Sequence, residues 1–124
     1  MTRDYRVYLD DILEAIGKIE RYFSALTSQN ALENDMAIDA IVRNFEVIGE
    51  ASKRIPESIK RKYPDIPWKL MSGMRDKLIH EYFGINTQTL FKTIEEDLPS
   101  LKPGIQKLAR ELEPGQDLDS PLSK

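Results

Sequence analysis

At 124 residues, with 40% hydrophobic and 31% charged side chains and a net charge of -3, the chain fits one globular domain and not a disordered protein. The absence of cysteine excludes disulfides and thiolate zinc sites, and a single histidine leaves too few ligands for a transition-metal centre within one chain. No apolar run approaches the roughly 18 residues that span a bilayer, and Met-Thr-Arg-Asp-Tyr at the start is no signal peptide, so a cytoplasmic domain with no metal, cofactor or membrane partner is expected.

The first predicted element is an amphipathic helix over about 5–26. Its apolar positions Tyr8, Leu9, Ile12, Ile16, Ile19, Phe23 and Leu26 keep the three-and-four spacing of one helical face. The run Thr-Ser-Gln-Asn after Leu26 signals a loop. A second helix should start near Asn34 or Asp35, either of which can cap it, and bury Met36, Ile38, Ile41, Val42, Phe45, Ile48, Ala51 and Ile55. Pro56 ends it, because the residue before a proline is pushed out of the helical region. Gly49 in its interior costs about 1 kcal/mol relative to alanine, which suits close packing between helices. Glu46 and Glu50, one turn apart, are placed equally well in a cleft or in solvent.

Residues 56–67 read as a connector with room for one helical turn at 57–62. Pro67 opens a third long helix at a position where its missing N–H costs nothing. Trp68, Met71, Met74, Leu78 and Ile79 give that helix an apolar stripe, and Gly84 is its natural stop. The last region starts at Asn86 or Thr87, and its apolar period runs from Leu90 to Leu112 across Pro99 and Pro103. Two prolines do not fit an undistorted helix interior, so a helix over about 87–98, a kink and a second run to about 112 are expected. Residues 1–113 then form one helical domain, and 114–124 a flexible tail. Period-two alternation and hairpin turn pairs are both missing, so the fold class is all-α, an up-and-down bundle of four to five helices.

Charge is unevenly spread. Residues 51–80 hold eight Lys or Arg against three acids, whereas the rest of the chain holds ten basic and eighteen acidic residues. Such a basic middle is either a phosphate-binding footprint or a solvated cluster at helix ends.

The end of the third helix carries the only histidine, His80, within Met74-Arg75-Asp76-Lys77-Leu78-Ile79-His80-Glu81-Tyr82. No other side chain in the sequence titrates near neutrality when unperturbed. On one helix Arg75 and His80 lie about 140° and about 7.5 Å apart, whereas Asp76 and His80 are about 40° apart on neighbouring turns. A single helix therefore does not aim Arg75 and His80 at one point. Two copies related by a two-fold axis can bring both pairs to one cleft. Histidine and arginine suffice for metal-free RNA cleavage: His80 moves the 2′-hydroxyl or 5′-oxygen proton, and Arg75 binds the phosphate bidentately. The plainer alternatives are a histidine that partners the helix dipole and, for Tyr82, a half-buried ring closing the helix end.

Arg75, His80 and Tyr82 match the R-x4-H-x-Y signature of the HEPN superfamily, in its HepT-like branch. The setting is also similar to that family: Phe45-Glu46-Val47-Ile48-Gly49-Glu50-Ala51, Ile66-Pro67-Trp68 and Gly73-Met74-Arg75, with the likeness covering about 5–112. The resemblance implies a HEPN-like bundle and a homodimeric, metal-independent endoribonuclease acting as the toxin of a type VII-like toxin–antitoxin pair. Arg75 and His80 would be catalytic and Asp76 supporting, at a position where relatives often carry asparagine. The implied partners are RNA and a minimal nucleotidyltransferase antitoxin of the MntA type, which silences the toxin by AMPylation of Tyr82. The competing reading is a non-catalytic nucleotide- or partner-binding helical subunit of a two-component nucleotidyltransferase.

Overall fold

A computed structural model describes residues 4–26, 35–80 and 87–111 of the chain. All regular structure among the described residues is helical: α1 (Tyr5–Ala25), α2 (Asp35–Lys53), α3 (Glu57–Lys62), α4 (Trp68–His80), and a last run made of α5 (Thr87–Lys92), a π-helical turn (Thr93–Asp97) and α6 (Leu98–Glu111). The all-α bundle expected from the periodicity is therefore what forms.

Asp4 starts α1 by accepting the backbone N–H of Arg6 at 2.9 Å, one of the amides a helix start leaves without an intrahelical partner. The apolar face of α1 is buried at Leu9, Ile12, Ala15, Ile16 and Ile19. α1 packs on α2 and on α6, and α2 in turn packs on α4. Phe23 meets Phe91 edge-to-face at 5.3 Å, and Lys102 Nζ lies 2.8 Å from Glu20 Oε1. Since 20 pairs with 102 and 23 with 91, α1 and the last run are antiparallel.

Phe45, Ile41 and Ile48 of α2 are fully buried, with Met71 and Met74 of α4 in the same core. Met36 departs from the expected buried face and is 83% exposed. Helical geometry explains it: position 36 lies about 180° around the helix from Phe45, opposite the core. Gly49 is buried, and its carbonyl accepts the hydroxyl proton of buried Ser52 at 2.9 Å.

The last run is continuous through both prolines, and the disturbance expected there takes the form of the π-helical turn just ahead of Pro99. The Leu98 amide donates to the carbonyl of Thr93, five residues back, so the wide turn removes one rung of the helical ladder immediately before the residue that cannot donate. Thr93, itself buried, donates its hydroxyl to the Thr89 carbonyl at 2.9 Å. The apolar stripe survives the turn, with Leu90, Ile94, Leu98, Leu101, Ile105 and Leu108 all buried. Leu112, Gly84, the 27–30 loop and the expected tail 114–124 lie outside the described residues.

The connector 54–67 is held from both sides. Pro67 gives its carbonyl to the Met71 amide at 3.0 Å, which starts α4, and Trp68 Nε1 donates to the Tyr63 carbonyl at 3.0 Å. From α6, Glu111 accepts the phenol proton of Tyr63. Gly104 presses on Ile66 so closely that a Cβ there would stand 2.8 Å from Ile66 Cγ1.

Candidate active site

α4 carries the motif. Its buried side is set by Met71 and Met74, both in the core, and on the side opposite Asp76 is exposed and a Cβ built on Gly73 would meet nothing within 4 Å among the described residues. Ser72 turns its hydroxyl back onto the Lys69 carbonyl at 3.2 Å, so it stays on its own helix. Glycine inside a helix costs about 1 kcal/mol relative to alanine, and at position 73 no neighbour among the described residues requires it.

α4 reaches position 80 without a break, so Arg75 and His80 sit on one regular helix. The backbone separation is then that of an ideal helix: about 140° around the axis and about 7.5 Å along it. Position 80 lies one turn beyond exposed Asp76 and about 40° from it. Tyr82 lies outside the described residues, as do the side chains of Arg75 and His80.

Glu46 and Glu50 lie on α2. They line a groove of about 330 Å³ between α1 and α2, and among the described residues the others that line it are Tyr8, Asp11, Arg43, Val47, Ala51 and Arg54. Both glutamates stand near cations of their own helix, Arg43 at 3.8 Å and Lys53 at 4.0 Å. The sequence left their side open; among the described residues they face this groove between α1 and α2.

The structure also supplies a contact that the sequence pattern does not carry. Burial first, then the hydrogen bond and charge of Glu111, push the Tyr63 phenol up to about 12. The tyrosine–glutamate pair spans 48 positions, and neither residue belongs to an apolar stripe.

An all-α bundle whose third long helix carries Arg75 and His80, with Tyr82 two residues on in the sequence, is a HEPN-like protein. The family model described as ribonuclease HepT-like matches residues 12–108, and the chain belongs to the HepT-like family. It is 46% identical over 110 residues to the "Probable ribonuclease HepT" of Thermococcus cleftensis, a match covering 89% of this chain and 100% of that one. It is 41% identical over 118 residues to the "Putative RNase MJ1216" of Methanocaldococcus jannaschii, covering 95% and 97% of the two chains. A third relative, "Gamma-glutamylcyclotransferase and putative RNase MJ0434" from the same archaeon, is 39% identical over 113 residues, with 51% of its length covered. No solved structure matches the chain.

Proposed function

We propose that this protein is a metal-independent endoribonuclease, the toxin of a toxin–antitoxin pair, with Arg75 and His80 as its catalytic residues. The observation that carries the reading is the motif itself, placed at the end of α4 in a chain that belongs to a ribonuclease family. In the proposed step the 2′-hydroxyl of the substrate loses its proton and its oxygen bonds to the adjacent phosphorus. The bond from phosphorus to the 5′-oxygen breaks, and that oxygen leaves with a proton. His80 holds or delivers one of these protons, and Arg75 stabilises the charge gathering on the non-bridging oxygens. The products are a 2′,3′-cyclic phosphate and a 5′-hydroxyl end.

The unit of function is a homodimer. Arg75 and His80 diverge on one helix, so a site using both is best completed by a second copy. Open Gly73 supports this, because a residue without a Cβ lets another helix approach closely. The functional domain is 1–113, with 114–124 a tail outside it.

Regulation falls on Tyr82. Its hydroxyl attacks the α-phosphorus of ATP on a nucleotidyltransferase antitoxin, pyrophosphate leaves, and a phosphodiester-linked AMP remains two residues from His80. The added negative charge and base occupy the cleft and neutralise Arg75. Asp76, exposed one turn before His80, supports the site by position, and it adds a negative charge that asparagine would not.

Two measurements test this reading. Substituting a 2′-deoxynucleotide on the 5′ side of the cleaved bond should abolish cutting there, and continued cutting would exclude the 2′-hydroxyl mechanism. Co-expression with a nucleotidyltransferase encoded beside this chain should add AMP masses to wild type and none to Tyr82→Phe. Equal mass gain in both would show that Tyr82 is not the acceptor.

A further inference from the structure

Two contacts carry the C-terminal turns of α6 to the connector between α2 and α4: Tyr63 to Glu111, and Ile66 to Gly104. The connector also joins the last residues of α2 to the first of α4. Basic residues from three helices and the turn after α2 are therefore gathered at one end of the bundle, although they are far apart in sequence. Arg54 follows α2, Arg61 and Lys62 close α3, Lys69 opens α4, and Lys107 and Arg110 come from the last turns of α6. All six are exposed, and none makes an ion pair among the described residues.

The acids at this end include Asp4, paired with Arg6, exposed Asp10, and Asp11, which lines the same groove as Arg54. Glu57 lies 3.9 Å from Lys60, Glu50 lies 4.0 Å from Lys53, Glu111 accepts the Tyr63 proton, and Asp65 is exposed. In a protein of net charge -3, six exposed cations without an ion pair among the described residues make this end the place where a polyanion meets unneutralised charge. Part of it is legible as the basic stretch 51–80. The contribution of Lys107 and Arg110 is not, because only the fold brings α6 there.

We infer that this end of the bundle is a second contact surface for the RNA substrate, holding phosphates of the strand away from the cleaved bond. The inference rests on the proposed ribonuclease reading and extends it from the motif to how the strand is held. Lys69 and His80 are eleven positions apart on α4, or about 17 Å at the helical rise. At a stacked spacing of about 3.4 Å per nucleotide, that distance corresponds to about five nucleotides. Short oligonucleotides reach the motif alone, and longer ones engage both surfaces. The binding is sequence-independent, because phosphates carry no base identity.

The test uses the full chain carrying His80→Ala, so that RNA is not consumed, with and without Arg61→Ala, Lys62→Ala, Lys107→Ala and Arg110→Ala. Binding of a fluorescent single-stranded 20-mer RNA is measured by anisotropy from 50 to 300 mM salt. Loss of the four cations should weaken binding at least tenfold at low salt. It should also lower the slope of log K against log salt by about 3, at about 0.7 for each phosphate no longer neutralised. A trinucleotide should bind both proteins alike. The four positions are exposed, so an unchanged thermal midpoint serves as the folding control. Unchanged affinity and slope for the 20-mer would overturn the inference. So would unchanged RNA binding with loss of antitoxin association, which would assign the surface to a protein partner. Failure of the ribonuclease reading is seen separately, as absence of cleavage by the protein with an intact motif.

Discussion

Gly104 of α6 stands against Ile66 of the connector at a distance where a Cβ would lie 2.8 Å from Ile66 Cγ1. Ile66 is buried at 4% exposure, so it has little room to give way. Alanine at 104 gains about 1 kcal/mol in helix propensity but is opposed by overpacking of about 1–3 kcal/mol. Gly104→Ala is expected to lower stability by about 1 kcal/mol in urea titration. In an Ile66→Ala background the obstructing atoms are gone, and the same change should stabilise. Equal effects in both backgrounds would show that the contact is not limiting.

Tyr63 gives the protein an alkaline limit. Its folded pKa is raised to about 12 from the ordinary 10, chiefly by burial and then by Glu111. The unfolded chain therefore loses this proton first. The contribution is fully present below pH 10 and is lost as pH rises from about 10 to about 12. Tyr63→Phe should lose less stability than wild type between pH 9 and pH 11.5. Parallel loss in the two proteins would show that other groups dominate.

α4 is fixed through Met71, which is fully buried between α2 and the rest of the core. Met71→Ala leaves a cavity and should cost about 2–5 kcal/mol, with RNA cleavage falling further than the loss of folded protein explains. By contrast Lys102→Ala removes a pair whose side chains are 34% and 44% exposed and should cost under about 1 kcal/mol. Thermal or urea denaturation of the two variants checks the ranking.

Asp76→Asn removes an exposed negative charge one turn from His80. Relief of about 0.5–1 kcal/mol of repulsion on a nearby phosphate corresponds to a two- to fivefold lower KM for RNA, with folding unchanged. A KM that stays the same places the aspartate outside the reach of the substrate.

A shared site has its own signature. Arg75→Ala and His80→Ala proteins, each inactive alone, should recover activity when co-refolded, because one mixed dimer cleft then contains an intact arginine and an intact histidine. Recovery confined to wild-type controls would place both residues of a working site on one chain.

Much of this architecture was legible in the sequence because apolar period and proline positions act locally. The faces of α1 and α6, the single turn at Glu57–Lys62 and the start of α4 after Pro67 all follow from them. Pro99 was legible as a disturbance, but not its form, since the π-helical turn depends on the Leu98 amide donating to the Thr93 carbonyl five residues back. Met36 was misplaced because an apolar residue in the first turn was counted with the stripe, although it is half a turn away from it. The Tyr63–Glu111 and Ile66–Gly104 contacts were hidden for another reason. They join residues 48 and 38 positions apart, and neither pair leaves a periodic trace. At the motif, the identity of Arg75, His80 and Tyr82 was readable as a pattern, whereas the place of Glu46 and Glu50 required the packing of α1 on α2.

The central claim is that this chain cuts RNA through His80. The direct measurement is cleavage of a labelled single-stranded RNA by the purified protein in EDTA, beside His80→Ala at equal folded concentration. Wild type should cleave and, since general acid–base catalysis contributes about 10²–10⁴-fold, the variant should lose at least that order of activity. Equal cleavage by the two proteins, or none by wild type, would contradict the claim.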